Sequence, residues 1–344
     1  MSTVLNALPL VRLHFDLEVR TAREVQPYKG DMLRMALLWW LSEYWCPLPG
    51  RCRHGCEHPD VCMFGRICTP DVDPVWPGKL RYLMGDAAPP AYVLWDMRDR
   101  RTHLQVGDHF GFELILVGDL AVSQIPAVVA AVQQGAEEGL GRERLHAKLR
   151  TVFAWTPSTD APGDWTQLPL AVEKPQDGQP VLTWQSYRLA DVALNYKAGQ
   201  AWTETHDDPV YAIKVDYLSP MKIKERGRWV DIPAFGAVVK AIVRRLRLLS
   251  VAHGGGEWTQ AAYGPLLDLA ETVYLDYHET QWTHYIRESK QSGTYEVEGF
   301  LGPAWYNSRE DLRPLLPILW LGQWLHTGKG YALGNGRYHL QTVS

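Results

Sequence analysis

The sequence lacks the features of a membrane or secreted protein. No stretch approaches the roughly 18 to 20 uncharged apolar residues that a membrane span requires, and the best candidate, Leu315 to Leu325, is too short. The N-terminus has no basic segment ahead of an apolar one, because Arg12 and His14 interrupt the only candidate, and this argues against a secretory signal. We therefore expect a cytoplasmic protein with no membrane partner.

The sequence also lacks a large excess of charge of one sign. Its 344 residues include 35 Lys and Arg against 39 Asp and Glu, a formal net charge of −4. This balance excludes a protein that coats nucleic acid with its whole surface, although it is compatible with a local basic groove. With 46% apolar and 22% charged residues, the chain has the composition of a folded protein, and its length suggests about two domains.

Cysteine is scarce, and all five cysteines lie between Cys46 and Cys68. A disulfide framework would be spread along a small chain in an oxidising compartment, and neither condition holds. Clustered thiols in a reducing cytosol favour a structural zinc site rather than a catalytic one. The spacing is not a standard Cys-x-x-Cys pair, so a loop of reduced thiols is the alternative. The simplest set of four ligands is Cys52, Cys56, Cys62 and Cys68.

The pattern of apolar residues predicts an α+β fold built from two similar halves. Residues 10–19 alternate between apolar and polar side chains, which is typical of a half-buried strand. A helix follows, and the first half continues as strand, strand, helix, strand, which is the order of a ferredoxin-like domain. The second half repeats this rhythm, with a strand over 211–217 that Pro220 ends and a helix over 234–251.

These elements predict a division of the chain into three parts. An N-terminal ferredoxin-like domain spans 1–155 and contains the cysteine-rich insertion at 46–68. Residues 156–208 are rich in Pro, Gly, Asp and Thr and form a connection or an insertion. A C-terminal ferredoxin-like domain with the glycine-rich loop spans 209–344.

Positive charge is concentrated in residues 214–247, which contain nine Lys and Arg against three acids. On the predicted helix, steps of about 100° bring Lys240, Arg244 and Arg247 into one arc, opposite an aliphatic face. A cationic ridge of this kind suits a phosphate backbone, and a solvated helix face is the alternative. The segment 257–279 has five acids and no Lys or Arg, so we expect it to face away from a polyanion. The candidate RNA contacts are Lys222, Lys224, Lys240, Arg244 and Arg247.

A glycine-rich segment occupies residues 328–337. Its four glycines allow the backbone to approach a ligand closely and to offer amides to phosphate oxygens. It is not a Walker loop, because no Gly-Lys-Ser/Thr opens a helix after a strand. A loop that holds nucleic acid is the prediction, and an ordinary turn between two strands is the alternative. Its candidate contacts are Gly328, Lys329, Gly330, Gly334, Gly336 and Arg337.

Four segments resemble motifs of the RAMP superfamily of CRISPR proteins. Residues 26–34, Gln-Pro-Tyr-Lys-Gly-Asp-Met-Leu-Arg, resemble the opening motif, in which a Pro-Tyr-x-Gly turn leads into a helix, and Lys29 in this turn is a further candidate RNA contact. Residues 107–118 and 139–142 look like the middle of the Cas6-type endoribonucleases that process precursor CRISPR RNA. Residues 325–338 are similar to the C-terminal glycine-rich signature of that family.

The resemblance implies two tandem ferredoxin-like (RRM-like) domains with an RNA-binding cleft between them. It also implies an endoribonuclease that cuts precursor CRISPR RNA within the repeat and uses no metal or other cofactor for catalysis. In that reaction the ribose 2′-OH attacks the adjacent phosphorus, which gives a 2′,3′-cyclic phosphate and a 5′-hydroxyl. The implied partners are the repeat hairpin RNA and other Cas proteins of an interference complex.

The resemblance also suggests where the catalytic groups lie. Many relatives carry a histidine at or soon after the first helix, and the first helix of this chain has none, so the identity of the base stays open. Arg23 and Arg34 flank the opening motif and are candidates to clamp the scissile phosphate, and a salt bridge at the helix start is the alternative for Arg34. His54 and His326 are alternative groups for proton transfer. The catalytic candidates are Arg23, Tyr28, Arg34, His54 and His326.

Two other functions stay open. A non-catalytic RAMP subunit that binds guide RNA in an interference complex is favoured by the missing histidine, whereas the C-terminal signature favours the enzyme. A metal-dependent nuclease that uses the cysteine cluster is the third hypothesis.

Overall fold

The computed structural model describes residues 3–46, 62–70, 78, 88–96, 99–141, 143–156, 164–168, 172–173, 181–182, 196–254, 256–289 and 293–343. The chain divides into two compact units. We call residues 8–194 with 251–255 the N-terminal unit, and residues 1–7, 195–250 and 256–344 the C-terminal unit. Among the described helices, none combines the length and the apolar character that crossing a membrane requires.

Helices and strands alternate along the described chain, and short 3₁₀ turns at Arg313–Leu315 and Tyr331–Leu333 interrupt its C-terminal part. The helices are α1 Thr3–Asn6, α2 Gly30–Trp45, α3 Met63–Cys68, α4 Asp119–Ser123, α5 Ile125–Glu138, α6 Tyr196–Glu204, α7 Phe235–Ala252, α8 Gln260–Glu271 and α9 Leu316–Leu325. The strands of the N-terminal unit are β1 Leu10–Val19, β2 Arg23–Glu24, β3 Tyr92–Trp95, β4 His103–Leu104, β5 His109–Val117, β6 Ala147–Thr156, β7 Asp164–Leu168, β8 Val172–Glu173 and β9 Val181–Leu182. The strands of the C-terminal unit are β10 Ala212–Met221, β11 Lys224–Glu225, β12 Arg228–Trp229, β13 Tyr274–His278, β14 Gln281–Ser289, β15 Gly293–Asn307 and β16 Tyr338–Val343.

The main sheets of the two units have the same strand order. In the N-terminal unit the order is β3-β5-β1-β6-β7, and in the C-terminal unit it is β13-β15-β10-β16, with β14 also paired to β15. The first long strand of each unit, β1 or β10, therefore lies between the strand that precedes the last crossover helix and the strand that follows it, and the pairs are antiparallel. This order is the ferredoxin-like arrangement, so the predicted α+β fold with tandem ferredoxin-like units is confirmed.

Strand β1 shows how the alternating pattern builds the N-terminal unit. Leu13, Phe15 and Leu17 are fully buried in its core, and polar residues alternate with them, as the pattern predicts. Arg12 lies on the opposite face of the strand, where its Nε and Nη2 donate to the two carboxylate oxygens of Glu113 at 2.8 and 2.6 Å. Both residues are buried, so the pairing satisfies charges that would otherwise be costly to remove from water.

The expectation that Pro220 ends its strand is wrong. Strand β10 continues to Met221, and its pairing with β15 shifts register between Tyr217 and Met221. A proline cannot donate a ladder hydrogen bond, and an irregularity of this kind removes the need for one. The strand therefore continues past the proline into the segment that supports the glycine-rich loop.

Candidate nucleic-acid interface

A short basic hairpin projects from the end of β10. Strands β11 and β12 pair through Lys224 with Trp229 and Glu225 with Arg228. The two residues between them, Arg226 and Gly227, have φ of 48° and 81°, as a two-residue hairpin turn with primed geometry requires. The side chains of Lys224, Arg226 and Arg228 are exposed, so the hairpin concentrates positive charge at the surface.

The hairpin also carries an exposed aromatic ring. Trp229 is 40% exposed, and the ammonium groups of Lys222 and Lys224 lie 4.2 and 4.3 Å from its ring centroid. Lys222 forms an ion pair with Glu298, and burial together with the nearby charge of Lys329 lowers the pKa of Lys222. An aromatic face among cations is suited to stack a base while the lysines contact phosphates.

The glycine-rich loop connects α9 to β16 and is fastened to the end of β10. The amide of Lys329 donates to the carbonyl of Lys222 at 2.9 Å, and the amide of Gly336 donates to the carbonyl of Pro220 at 3.0 Å. A third bond closes the base of the loop, from the amide of Thr327 to the carbonyl of Gly336 at 2.9 Å. The sequence predicted that backbone amides of this loop bind phosphate oxygens. These three amides instead donate to carbonyls of the protein and stabilise the loop.

Glycines are required in this loop for two reasons. The φ angles of Gly330 and Gly334 are 79° and 90°, in the left-handed region that favours glycine. At Gly328, which has φ of 96°, an added Cβ would lie 2.6 Å from the carbonyl oxygen of Lys222. At Gly336, an added Cβ would overlap the carbonyl oxygen of Thr327. At Gly328 and Gly336 the glycine therefore allows the backbone to approach another part of the same chain, whereas the sequence predicted a close approach to a ligand.

The two cations of the loop have different environments. Lys329 is exposed, whereas Arg337 is only 4% exposed. The Arg337 guanidinium donates to the carbonyl of Gln323 at 2.5 Å and lies 4.4 Å from the ring centroid of Trp324. Arg337 therefore ties the loop to α9, and Lys329 presents charge to solvent.

We expect Arg337→Ala to lower the free energy of unfolding by about 2–3 kcal/mol, because it leaves a buried carbonyl without its donor. Lys329→Ala is expected to change stability by less than about 0.5 kcal/mol and to weaken RNA binding more at low salt than at high salt. Urea unfolding and a salt titration of RNA binding measure the two effects. Equal stability of the two variants would contradict the assignment.

Helix α7 buries the aliphatic face that the sequence predicted. The predicted cationic ridge on the opposite face is only partly exposed. Val239, Ile242 and Leu249 are fully buried. Of the three ridge residues, Arg244 is exposed, whereas the Lys240 ammonium donates to Glu225 at 2.8 Å and lies 2.5 Å from Glu271. These hydrogen bonds raise the pKa of Lys240.

Arg247, the third ridge residue, is buried. Its guanidinium lies 4.7 Å from the ring centroid of Tyr263 and 3.8 Å from a carboxylate oxygen of Glu257. Two acids of the segment 257–279, Glu257 and Glu271, thus pair with Arg247 and Lys240, and the expectation that this segment faces away from a polyanion stays a prediction. Opposite charges attract, so these acids compensate cations of α7.

Sequence analysis missed two candidate binding residues, Trp229 and Arg245. The position of Trp229 between basic residues of the hairpin could have identified it, because aromatic residues among cations are typical of RNA sites. The helical pattern does not identify Arg245 as a binding residue, because it follows Arg244 and lies within the aliphatic arc of α7. It is buried, and its guanidinium lies over the ring of Tyr331 in the glycine-rich loop.

The opening motif lies in the N-terminal unit, where Arg23, Tyr28 and Arg34 have identified contacts. Arg23 is exposed in β2 and donates to the carbonyl of Glu143 at 3.0 Å. The guanidinium of Arg100 lies 4.3 Å from the ring centroid of Tyr28. Arg34, half-buried in α2, donates to the hydroxyl of Tyr92 at 3.2 Å. Arg23, Arg34 and Arg100 thus contribute three cationic side chains to the N-terminal unit.

Lys29 is placed differently from the RNA contact that the sequence suggested. It is 2% exposed, and its ammonium donates to the carbonyls of Asp99 and Arg101 at 2.8 and 2.7 Å. Its backbone amide donates to Asp96 at 3.2 Å. Burial lowers the pKa of Lys29, and the charge of Asp99 opposes that shift. These hydrogen bonds hold Asp96, Asp99 and Arg101 against the start of α2.

The two candidate histidines differ in what the structure describes of them. His326 is fully buried at the end of α9 in the C-terminal unit, with φ of 52°. Arg23 and Arg34 belong to the N-terminal unit. His54 lies outside the described residues.

The predicted zinc ligands are only partly described. Cys62 and Cys68 are buried at the two ends of α3, and the Cys62 thiol donates to the carbonyl of Trp45 at 3.7 Å. Cys52 and Cys56 lie outside the described residues. Within the described residues, no group of three or more His, Cys, Asp or Glu is arranged to hold a metal ion. The four-cysteine site stays a prediction.

Two family models match the chain, whereas no curated protein matches it. Residues 8–174 match a model described as an N-terminal domain. Residues 215–338, which include the basic hairpin and the glycine-rich loop, match the model of the CRISPR-associated endoribonuclease Cas6. The C-terminal part of the chain is therefore similar to the Cas6 family.

Solved Cas6 structures share the fold over nearly the whole chain. A Cas6-RT-Cas1–Cas2 complex matches with a TM-score of 0.55 and 15% identity, covering 99% of this chain and 30% of that chain. The present chain thus spans less than a third of the length of that relative. A Cas6 product complex matches with a TM-score of 0.56 and 12% identity, covering 97% of this chain and 100% of the other. Thermus thermophilus Cas6 matches with a TM-score of 0.51 and 11% identity, covering 97% and 99%.

Proposed function

We propose that this protein cleaves precursor CRISPR RNA within the repeat, in the cytoplasm, without a metal ion. The observation that carries the proposal is the basic hairpin with its exposed Trp229, which lies inside the region that matches the Cas6 model. We also propose that the protein stays bound to its product as a subunit of an effector complex with other Cas proteins.

The C-terminal unit supplies RNA affinity in this proposal. Lys224, Arg226, Arg228 and Lys329 are exposed cations on the hairpin and on the loop that is fastened beside it through Lys222. Neutralising phosphates at such positions releases counterions, so binding is expected to weaken steeply as salt rises. The ring of Trp229 adds a stacking surface for a base.

The chemistry needs no resident cofactor, because RNA contains its own nucleophile. A base takes the proton of the 2′-OH, the oxygen attacks phosphorus, and an acid protonates the leaving 5′ oxygen. We assign Arg23 and Arg34 to stabilise the negative charge that develops on phosphorus in the transition state. Tyr28 is the candidate proton-transfer group among the described residues of the opening motif, and His54 is the candidate outside them.

A second function, a guide-RNA-binding subunit without catalysis, is favoured by one observation. Helix α2, which follows the opening motif, contains no histidine. Arg23 and Arg34 alone would then position and neutralise RNA without moving a proton. The two functions share the RNA surface and differ only in whether the bound strand is cut.

Incubation of the purified protein with a repeat RNA in EDTA separates these functions. We expect cleavage at one site, with a 2′,3′-cyclic phosphate on the upstream product, and complete loss of cleavage when the ribose 5′ of that site is 2′-deoxy. The deoxy substrate is expected to bind with nearly unchanged affinity, because it retains all its phosphates. Gel analysis and mass spectrometry of the products measure both effects.

Three other results would each contradict part of the proposal. Tight binding of the ribose substrate without cleavage supports the guide-RNA subunit. Cleavage that EDTA abolishes and added metal restores supports a metal-dependent nuclease. Release of the product during size-exclusion chromatography at low salt would contradict retention in an effector complex.

A further inference from the structure

Helix α7 carries an arginine on its buried side. Arg245 lies about 60° from Ile242 around the helix, because three residues turn the chain by about 300°. Ile242 is fully buried, and Arg245 is only 6% exposed. Removing a guanidinium from water is costly unless an acceptor or a ligand compensates it. Burial lowers the pKa of Arg245, but an arginine stays charged at neutral pH.

The guanidinium of Arg245 is stacked on the glycine-rich loop. Its central carbon lies 3.4 Å from the ring centroid of Tyr331, so the ring covers one face of the guanidinium plane. Stacking orients the plane and leaves its N–H edges to make hydrogen bonds. Tyr331 begins a short 3₁₀ turn bounded by Gly330 and Gly334, both with positive φ.

One of these edges has a donor pair without an acceptor. Within the described part of the chain, Nε and Nη2 of Arg245 are buried and make no hydrogen bond. These two nitrogens share an edge of the guanidinium, and their parallel N–H groups match two oxygens of a carboxylate or a phosphate. Arg12 uses the same edge for the two carboxylate oxygens of Glu113. Arg245 therefore has the donor geometry of Arg12 and lacks its counterpart.

The surroundings favour a polyanion over a protein carboxylate. Lys329, two residues before Tyr331, is exposed, and burial together with the charge of Lys329 lowers the pKa of Lys222. The basic hairpin follows Lys222 directly. Like charges gathered on one loop and the strand that supports it are typical of a site for phosphates.

We infer that Arg245 binds one phosphodiester group of the RNA through its Nε and Nη2 edge, with the guanidinium held in orientation by Tyr331. The inference rests on the proposed function, because the phosphodiester belongs to the repeat RNA. Because Nε and Nη2 are buried, the inference requires the loop to shift as the phosphate binds while the Tyr331 ring stays on the guanidinium, and Gly330 and Gly334, both with positive φ, are the positions where the backbone can turn.

The salt dependence of repeat-RNA binding tests the inference. We expect Arg245→Gln to raise Kd about tenfold and to lower the slope of log Kd against log salt by about one. Tyr331→Phe keeps the stacked ring and is expected to bind like the parent protein. Arg309→Gln is the charge-matched control, because Arg309 is exposed. Its neighbour Ser308 bonds to Tyr211, which precedes β10, whereas the glycine-rich loop lies at the other end of that strand. The slope of this control is expected to equal that of the parent.

An Arg245→Gln variant with the parent slope would overturn the inference and leave Arg245 as a support for the loop, whatever its melting temperature.

A second assay needs no RNA. Thermal unfolding in inorganic phosphate, compared with chloride at equal ionic strength, is expected to show greater stabilisation of the parent than of Arg245→Gln. If the parent neither binds nor cleaves repeat RNA, the proposed function fails, and equal stabilisation in this assay then overturns the inference as well.

Discussion

Gly336→Ala is expected to lower the free energy of unfolding by about 3–5 kcal/mol and to abolish binding of repeat RNA at moderate salt. The residue has φ of 77°, and an added Cβ would overlap the carbonyl oxygen of Thr327. That carbonyl belongs to backbone and cannot rotate away as a side chain could. The substitution therefore breaks the hydrogen bonds that close the loop and fasten it to Pro220. Urea unfolding and an RNA-binding titration measure the two effects.

Gly227→Ala is the matched control for this prediction. Gly227 has nearly the same backbone angle, with φ of 81°, but nothing lies within 4 Å of an added Cβ. Its cost is therefore that of the left-handed conformation alone, about 1–2 kcal/mol. If the two variants were equally stable, the close approach of Gly336 to Thr327 would not be what the loop requires.

Neutralising the hairpin by the triple change Lys224→Gln, Arg226→Gln and Arg228→Gln is expected to raise Kd for repeat RNA about 100- to 1,000-fold at low salt. The slope of log Kd against log salt is expected to fall by about three, one for each phosphate contact. The three side chains are exposed, so the free energy of unfolding is expected to change little. Fluorescence anisotropy across a salt series measures Kd.

The control for the hairpin prediction keeps the charge and exchanges its chemistry. Lys224→Arg with Arg226→Lys and Arg228→Lys retains three cations on the same turn, and affinity close to that of the parent is expected. An unchanged Kd in the glutamine variant would move the RNA site away from the hairpin. Loss of affinity in the control as well would show that specific hydrogen bonds, rather than charge, make the contact.

The predicted elements that agree with the structure depend on local patterns. The alternation over Leu10–Val19 reproduces β1 at both ends, and the aliphatic arc with Ile242 and Leu249 is the buried face of α7. Such patterns succeed because neighbouring side chains share one strand or one helix, and its period alone determines which of them face the core. Pro220 is an exception, since a register shift against β15 accommodates it and no local pattern predicts that shift.

The candidate site was harder to predict, because its charges are compensated by residues distant in sequence. Lys240 pairs with Glu271, and Lys29 is enclosed by the carbonyls of Asp99 and Arg101. A count of cations along the chain treats both lysines as available to bind RNA, although each is already paired within the protein. Conversely, the sequence does not distinguish Arg245 from the other basic residues of α7. Only its stacking against Tyr331 makes it a candidate to bind a ligand.

By itself, the amino-acid sequence determined the two ferredoxin-like halves and the segments in which an RNA site lies, because hydrophobic period, turn residues and motif spacing are properties of neighbouring residues. Tertiary structure alone decided which members of those segments face solvent. The backbone amides of Lys329 and Gly336 are used by the carbonyls of Lys222 and Pro220, and Arg337 is used by that of Gln323. The physical reason is that folding brings acceptors from any part of the chain, and a donor or a charge that is both buried and paired is no longer available to RNA.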